Sequence, residues 1–149
     1  MLRDKQLIPL SHQHHNGLAL CVLTRRSVAA GSSPENRAKL ARRIVERYEL
    51  ELANHFEIEE QVLFPLCAAK PLVAELIREH RKLEALVAEV QADPSAERLE
   101  EFCALLTSHI RREENELFEQ LQREVSREDL DRAGAEIDRR AVRICLLPD

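Results

Sequence analysis

A ten-residue pattern occurs twice in this chain, beginning at His55 and again at His109. Both copies contain His-x-x-x-Glu, a second Glu directly after it and a Leu-Phe pair. The His-x-x-x-Glu pairs are His55 with Glu59 and His109 with Glu113. Residues four apart lie on one face of a helix, so each copy can direct an imidazole and a carboxylate towards the same point. Two such helices that face each other would form a metal site.

The composition favours an all-helical protein. The 149 residues include only three Gly and six Pro, and 44% of them are apolar, which fits one domain of helices with short connections. A net charge of −5 and an aromatic content of 3% argue against a nucleic-acid partner. The sequence lacks an apolar run of membrane-spanning length and a hydrophobic leader after Met1. We therefore expect a cytoplasmic protein without a membrane partner, whose four cysteines are reduced thiols.

Proline, glycine and serine residues divide the chain into five predicted helices. Pro34 and Pro71 suit first helical positions, while Ser95 and Ser126 suit N-caps. The predicted helices cover about 11–30, 34–64, 71–92, 95–124 and 126–143. The first four would form an up-down-up-down bundle over about 11–124, and the last would be an additional helix followed by a tail, within a single domain of residues 1–149.

Three predicted helices carry stripes that alternate spacings of four and three, the pattern of a left-handed helical bundle. The stripe of the second helix is Ala41, Val45, Tyr48, Leu52, His55, Glu59, Val62 and Leu66. The stripe of the third is Val73, Leu76, His80, Leu83, Val87 and Val90, and that of the fourth is Leu99, Phe102, Leu106, His109, Glu113 and Leu117. Histidine and glutamate thus occupy positions that apolar residues otherwise fill. An unpaired carboxylate in a core is costly, so two of them indicate a bound cation.

A single His-x-x-x-Glu would more simply be a solvated pair worth a few tenths of a kcal/mol. That interpretation fails for a pair that replaces core residues on two helices at matching positions. It does suit Glu57, Glu60 and Glu114, which fall off the stripes and are interpreted as solvated. His80 taken alone would be a core histidine, but its place on the third stripe favours a ligand.

The first helix offers three candidate histidines, His12, His14 and His15. His15 is favoured, because Leu18 and Val22 follow it at the spacing at which Leu83 and Val87 follow His80. His14 stays an alternative, since Leu18 and Cys21 continue its stripe. The predicted ligands are His15, His55, Glu59, His80, His109 and Glu113. Imidazole with carboxylate suits Fe, Mn, Zn or Co. A ferritin-like site would need Glu-x-x-His, which these histidines lack.

The ordered series His, His-x-x-x-Glu, His, His-x-x-x-Glu resembles the hemerythrin-like, or HHE, cation-binding family over about residues 11–123. The resemblance implies a four-helix bundle around two iron ions, with iron favoured over Mn or Zn. It implies that Glu59 and Glu113 bridge the ions. His15 and His55 would bind one ion, and His80 and His109 would bind the other.

One departure bears on function. Oxygen-carrying hemerythrins have a second histidine four residues after that of the third helix, where this chain has Glu84. Losing an imidazole leaves an open position or lets Glu84 ligate. The resemblance then implies sensing or scavenging of O2, NO or peroxide rather than O2 transport, with weak peroxidase, catalase or NO-related activity left open. The alternative is a regulatory module whose iron occupancy controls a protein partner, with the fifth helix as the contact or as a homodimer interface. A structural Zn or Mn bundle is the third interpretation.

Overall fold

The computed structural model describes residues 1–67 and 70–144, and these ranges form five helices and no strand. Helix α1 is Ile8–Ala29, α3 is Pro71–Ala92 and α5 is Arg127–Arg140. Helix α2 runs without a break over 34–67, and α4 runs over 96–124. The predicted all-α fold is confirmed. The tail Cys145–Asp149 lies outside the described residues.

The helices start where the sequence signals predicted, with one exception. The hydroxyl oxygens of Ser33, Ser95 and Ser126 each accept a hydrogen bond from a backbone N–H of the first turn that follows. Helix α1 instead begins at Ile8, and Ser11, expected as its N-cap, lies inside the helix. The Ser11 hydroxyl donates to Glu114 on α4 at 3.1 Å, so it connects two helices rather than capping one.

The first four helices pack side by side as an antiparallel bundle, because each short connection reverses the chain. Helix α4 contacts both α1 and α3, while α2 contacts α3. Helix α5 lies across the second half of α2 and also contacts α1. Among the described residues Cys21, Cys67 and Cys103 are free thiols.

The core is divided into two apolar clusters with a polar layer between them. On α3, Val73 and Leu76 belong to one cluster, while Leu83 and Leu86 belong to the other. His80 lies between these pairs and is fully buried. The helices therefore bring their polar stripe positions to one level in the middle of the bundle.

Three short π-helical segments interrupt α2 and α4: Tyr48–Leu52, Glu59–Leu63 and Glu113–Leu117. Two of them begin at the glutamates of the repeated pattern. A π segment holds an extra residue in its turn, so it shifts the face that later residues present. The uniform stripe predicted for α2 is therefore wrong beyond Glu59. Val62 is only partly buried and Leu66 is 36% exposed, whereas Leu63 is fully buried in their place.

Candidate metal centre

Helices α2, α3 and α4 supply five of the predicted ligands, and all five are at most 2% exposed. They are His55, Glu59, His80, His109 and Glu113. The residues form two groups in which the potential ligand atoms all lie within 4.8 Å of one another. One group is His14, His55, Glu59 and Glu113, and the other is Glu59, His80, His109 and Glu113. The two glutamates belong to both groups, which is the arrangement expected of carboxylates between two ions.

The structure places His14, not His15, in this cluster. His14 is 3% exposed and its Nε2 lies 3.4 Å from Glu113 Oε1, whereas His15 is exposed to solvent. His15, which the apolar spacing favoured, therefore lies outside the cluster, and His14, the alternative, lies inside it. The reason is that most residues on the buried face of α1 are small or polar rather than large and apolar. It comprises Leu10, Gln13, His14, Asn16, Gly17, Leu20, Cys21 and Thr24.

Gly17 explains why this face of α1 turns inward. A Cβ added at Gly17 would lie 3.1 Å from Cδ1 of Ile110, so α1 approaches α4 closely where its side chain is missing. Val22, whose position favoured His15, is instead 47% exposed. His14 lies three residues before Gly17 and therefore shares the face that meets α4.

The inner atoms of the cluster are close to one another but poorly paired. His55 Nε2 lies 3.1 Å from Glu59 Oε1, and His109 Nε2 lies 2.7 Å from Glu113 Oε1. His80 Nε2 lies 3.1 Å from His109 Nε2. Despite these short distances, seven buried nitrogen and oxygen atoms make no hydrogen bond of acceptable geometry with the described residues. They are Nδ1 and Nε2 of His14, Nε2 of His55, and both carboxylate oxygens of Glu59 and of Glu113.

Buried polar atoms are almost always hydrogen-bonded, and leaving one without a partner is destabilising. Here the residues that carry such atoms all belong to the two ligand groups. A cation is the partner that suits a set of imidazole nitrogens and carboxylate oxygens, and no thiolate belongs to either group. The residues therefore fit a metal cofactor.

Each imidazole also contacts an outer partner through its other nitrogen. Nδ1 lies 2.8 Å from Gln13 Oε1 in His55, 2.8 Å from Glu60 Oε2 in His80 and 2.9 Å from Glu79 Oε1 in His109. In His14 it lies 3.5 Å from Glu114 Oε1. An acceptor at Nδ1 keeps the proton there and leaves Nε2 free to bind a metal. The outer partners thus orient His55, His80 and His109 towards the centre, while Glu114 only contacts His14.

Arginines hold the three outer carboxylates. Arg112 Nη1 lies 3.2 Å from Glu79, Arg3 Nη2 lies 3.3 Å from Glu114, and Arg81 pairs with Glu60. Because Glu60 and Glu114 contact ligand histidines and are only 25% and 24% exposed in their side chains, their interpretation as solvated residues is wrong. Glu57, with a side chain 61% exposed, is solvated as predicted.

The outer partners follow a two-fold pattern in the sequence. The residue before the histidine of α1 or α3 bonds the histidine of the next helix, which pairs Gln13 with His55 and Glu79 with His109. The residue after each repeated glutamate contacts the remaining histidines, as Glu60 and Glu114 do. The second Glu of each copy was a visible signal for these two residues. Gln13 and Glu79 had no comparable signal.

Phenylalanines close the site. Phe56 stacks on His80 at a centroid distance of 4.1 Å and Phe64 at 5.6 Å, while Phe118 stacks on His14 at 5.3 Å. All three rings are at most 3% exposed. They exclude water and keep the local dielectric low, which strengthens every electrostatic interaction inside. Glu84 lies outside both groups, and its Oε1 pairs with Arg81 at 3.3 Å.

In the metal-free chain the pKa values of the two inner glutamates are shifted in opposite directions. Burial and repulsion from Glu113 raise the pKa of Glu59 well above its ordinary value. Burial acts in the same direction on Glu113, but attraction from His109 and close polar contacts with Glu59, His109 and His14 bring its pKa well below that value. The opposite directions are those expected of two neighbouring acids that cannot both be charged.

The pKa values of His80 on α3 and His109 on α4 are also shifted in opposite directions. Burial lowers the pKa of His80 to about 3, so this ring is neutral. Burial also opposes the charge on His109, but attraction from Glu113, which lies close to its Nε2, and the hydrogen bond with Glu79 raise its pKa to about 9. Metal binding would displace a proton held by His109, so metal affinity should increase with pH.

The fold and the site together define a class of protein, the helical bundle with a buried metal centre of histidines and carboxylates. The family model of the hemerythrin HHE cation binding domain matches residues 7–121, and the chain belongs to this family. No curated protein and no solved structure matches the chain significantly. Within the described ranges, each helix is too short or too polar to cross a membrane.

Proposed function

We propose that this protein holds two iron ions between Glu59 and Glu113 and that it binds or reacts with O2, NO or peroxide, as a sensor or scavenger. His14 and His55 would bind one ion, and His80 and His109 would bind the other. The observation that carries the proposal is the set of seven unpartnered buried atoms, which lie in two overlapping ligand groups that share both glutamates. Two histidines and two shared carboxylates give each ion four protein ligands, which leaves coordination positions for a small molecule.

When bound, the iron pair would supply Lewis acidity and electrons to such a ligand. The protein's own residues control what reaches it. Phe56, Phe64 and Phe118 exclude bulk water and favour a ligand of few atoms. Glu60 contacts His80 Nδ1 at 2.8 Å, and its side chain is 25% exposed, so this carboxylate offers a route for a proton between the centre and solvent.

Metal content per chain, measured together with an absorption spectrum, tests this proposal. After anaerobic iron loading and exposure to air we expect about two irons per chain, one for each ligand group. We also expect near-ultraviolet charge-transfer absorption that dithionite bleaches. Addition of NO or peroxide to the reduced protein should change this spectrum. Zinc as the bound metal, a single ion, or an unchanged spectrum would contradict the proposal.

The second candidate is a regulatory module whose iron occupancy controls a partner without turnover. Gln13 contacts His55 and also Val142, which follows α5. This connection between the centre and the surface of the protein favours the regulatory module. Peroxide consumption by the iron-loaded protein separates the candidates. Turnover supports the scavenger, whereas no turnover with a metal-dependent change of oligomeric state supports the module.

A further inference from the structure

The chain after α5 forms a short strap, residues 141–144, that lies against α1 and α2. Asn54 on α2 holds its start, because Asn54 Nδ2 donates to the carbonyl oxygen of Arg140 at 2.9 Å and Asn54 Oδ1 accepts from Val142 N at 3.0 Å. Asn16 on α1 donates from Nδ2 to the carbonyl oxygen of Ile144 at 3.4 Å. The strap is thus fixed by hydrogen bonds between its backbone and two asparagine side chains.

A third side chain connects the strap with the metal centre. Gln13 Nε2 donates to the carbonyl oxygen of Val142 at 2.9 Å and to Asn54 Oδ1 at 3.3 Å. Both acceptors require the NH2 group, so the amide can have only one orientation. Its Oε1 therefore faces His55, where it lies 2.8 Å from Nδ1. This contact keeps the His55 proton on Nδ1 and directs Nε2 towards Glu59.

Gln13 is also where the two-fold pattern of outer partners is broken. The residue in the corresponding position on α3 is Glu79, which Arg112 holds. Gln13 is neutral, and it is 2% exposed. The strap and Asn54 hold the Gln13 amide in place against His55. Arg112 holds the Glu79 carboxylate in place against His109 in the same way.

We propose that the strap is part of the metal centre: acting through Asn54 and Gln13, it positions His55, so that strap docking and metal binding at the His14 and His55 position favour each other. This inference rests on the metal pair proposed above. Outer partners of metal-bound histidines commonly affect metal affinity by about 10–100-fold. Because coupling between two equilibria is reciprocal, a bound metal should also hold the strap more firmly.

The metal-free protein tests the positioning step by itself. Nitrogen-15 NMR of the histidine side chains should show a slowly exchanging Nδ1 proton on His55 in the wild-type chain. Asn54→Ala should make that proton exchange at least about tenfold faster and should also expose the Val142 amide. Asn36→Ala is the matched control, because Asn36 is another asparagine of α2 whose Nδ2 donates to a side chain, that of Ser27, at the far end of the bundle. If Asn54→Ala left the His55 proton unchanged, the proposal would be overturned.

Titration with Co2+, followed by absorption, tests the coupling to metal. Wild-type and Asn36→Ala chains should bind two ions with similar affinities, whereas Asn54→Ala should weaken one of the two by about 10–100-fold. Val142→Pro removes the N–H that donates to Asn54 and leaves Asn54 itself in place, and it should have the same effect if Asn54→Ala proves unstable. Equal affinities in all variants would refute the coupling. Failure of the wild-type chain to bind two ions would instead count against the proposed function and would leave the metal-free NMR result standing.

Gln13→Glu separates orientation of His55 from attachment of the strap. A carboxylate at this position still accepts from His55 Nδ1 but cannot donate to Val142 or Asn54. We expect both ions to bind, while hydrogen exchange at the Val142 amide becomes faster and no longer responds to metal. Exchange at Val142 that still slowed on metal loading would show that Gln13 is not the connection.

Discussion

At the scale of single residues, the centre is built from groups that would be unfavourable anywhere else in a core. Glu59 is fully buried, and its oxygens make no hydrogen bond with the described part of the chain. Burial of such a group is tolerated where a ligand compensates for it. The buried carboxyl group therefore destabilises the metal-free chain, and a bound metal would remove this destabilisation.

Replacing Glu59 by Ala should remove binding of the metal pair, because both ligand groups contain this residue. The urea concentration at the midpoint of unfolding should be at least as high for the metal-free variant as for the metal-free wild type, because the variant lacks an unpartnered buried carboxyl group. Metal analysis after anaerobic loading checks the first part. Glu57→Ala, at an exposed position of the same helix, is the control. A Glu59→Ala chain that retained two ions would show that Glu59 does not bridge them.

Glu51 should make the stability of the protein depend on pH. This residue is 3% exposed, and Asn16 Nδ2 donates to it at 2.9 Å. Burial raises the pKa of Glu51 above its ordinary value of 4.5. The folded chain therefore binds this proton more tightly than the unfolded chain does. Its stability should fall as pH rises from 4.5 through the raised value, and it should then stay level.

Glu51→Gln should remove that pH dependence, because the amide keeps an acceptor for Asn16 and cannot ionise. Urea unfolding at several pH values should show the variant more stable than the wild type at neutral pH, with the difference closing as the solution is acidified. A difference that persisted unchanged at low pH would contradict the ionisation of Glu51 as its cause.

At the scale of the helix, the position of the ligands depends on where each helix begins and where its turns widen. Helix α4 carries His109 and Glu113, and its first turn is capped by Ser95, whose Oγ accepts from Arg98 N at 3.2 Å. The π segment Glu113–Leu117 begins one helical turn after His109. Such widened turns are frequent at functional sites.

Ser95→Ala should destabilise the fold by about 1 kcal/mol, the usual effect of losing an N-cap. Chemical denaturation of the metal-free protein measures the change. Ser108→Ala is the control, because Ser108 is an exposed residue in the interior of the same helix and Ala is a good helix former there. Similar losses in the two variants would argue against the cap.

Much of the site could be predicted from the sequence, because α3 and the first part of α4 are uninterrupted helices whose polar stripe positions stand out among apolar ones. His80, His109 and Glu113 were found in this way. The histidine of α1 that lies in the cluster could not be identified, because Gly17 and Thr24 mark the buried face of this helix while Val22 and Leu23 are exposed. The course of α2 after Glu59 was also missed, since periodicity assumes a constant turn and a π segment breaks it.

At the scale of the whole molecule, metal binding and folding should be coupled, because the ligands come from four helices that are brought together only in the folded chain. A free metal concentration of about 100 times the dissociation constant should stabilise the fold by about 2.7 kcal/mol. Thermal unfolding with and without metal checks this. Glu59→Ala should show no such shift, and a shift of equal size in that variant would place the stabilising ion elsewhere.

The two-fold arrangement of the candidate ligands would give the proposed metal pair a mechanical role. Helices α1 and α2 form one hairpin and α3 and α4 form another, and each ligand group takes three residues from one hairpin and a glutamate from the other. Each ion would therefore fasten the hairpins to each other, in the manner of a crosslink. A chain cleaved between α2 and α3 would lose no ligand, so its two fragments should stay together while the ions are bound and separate more readily when a chelator removes them.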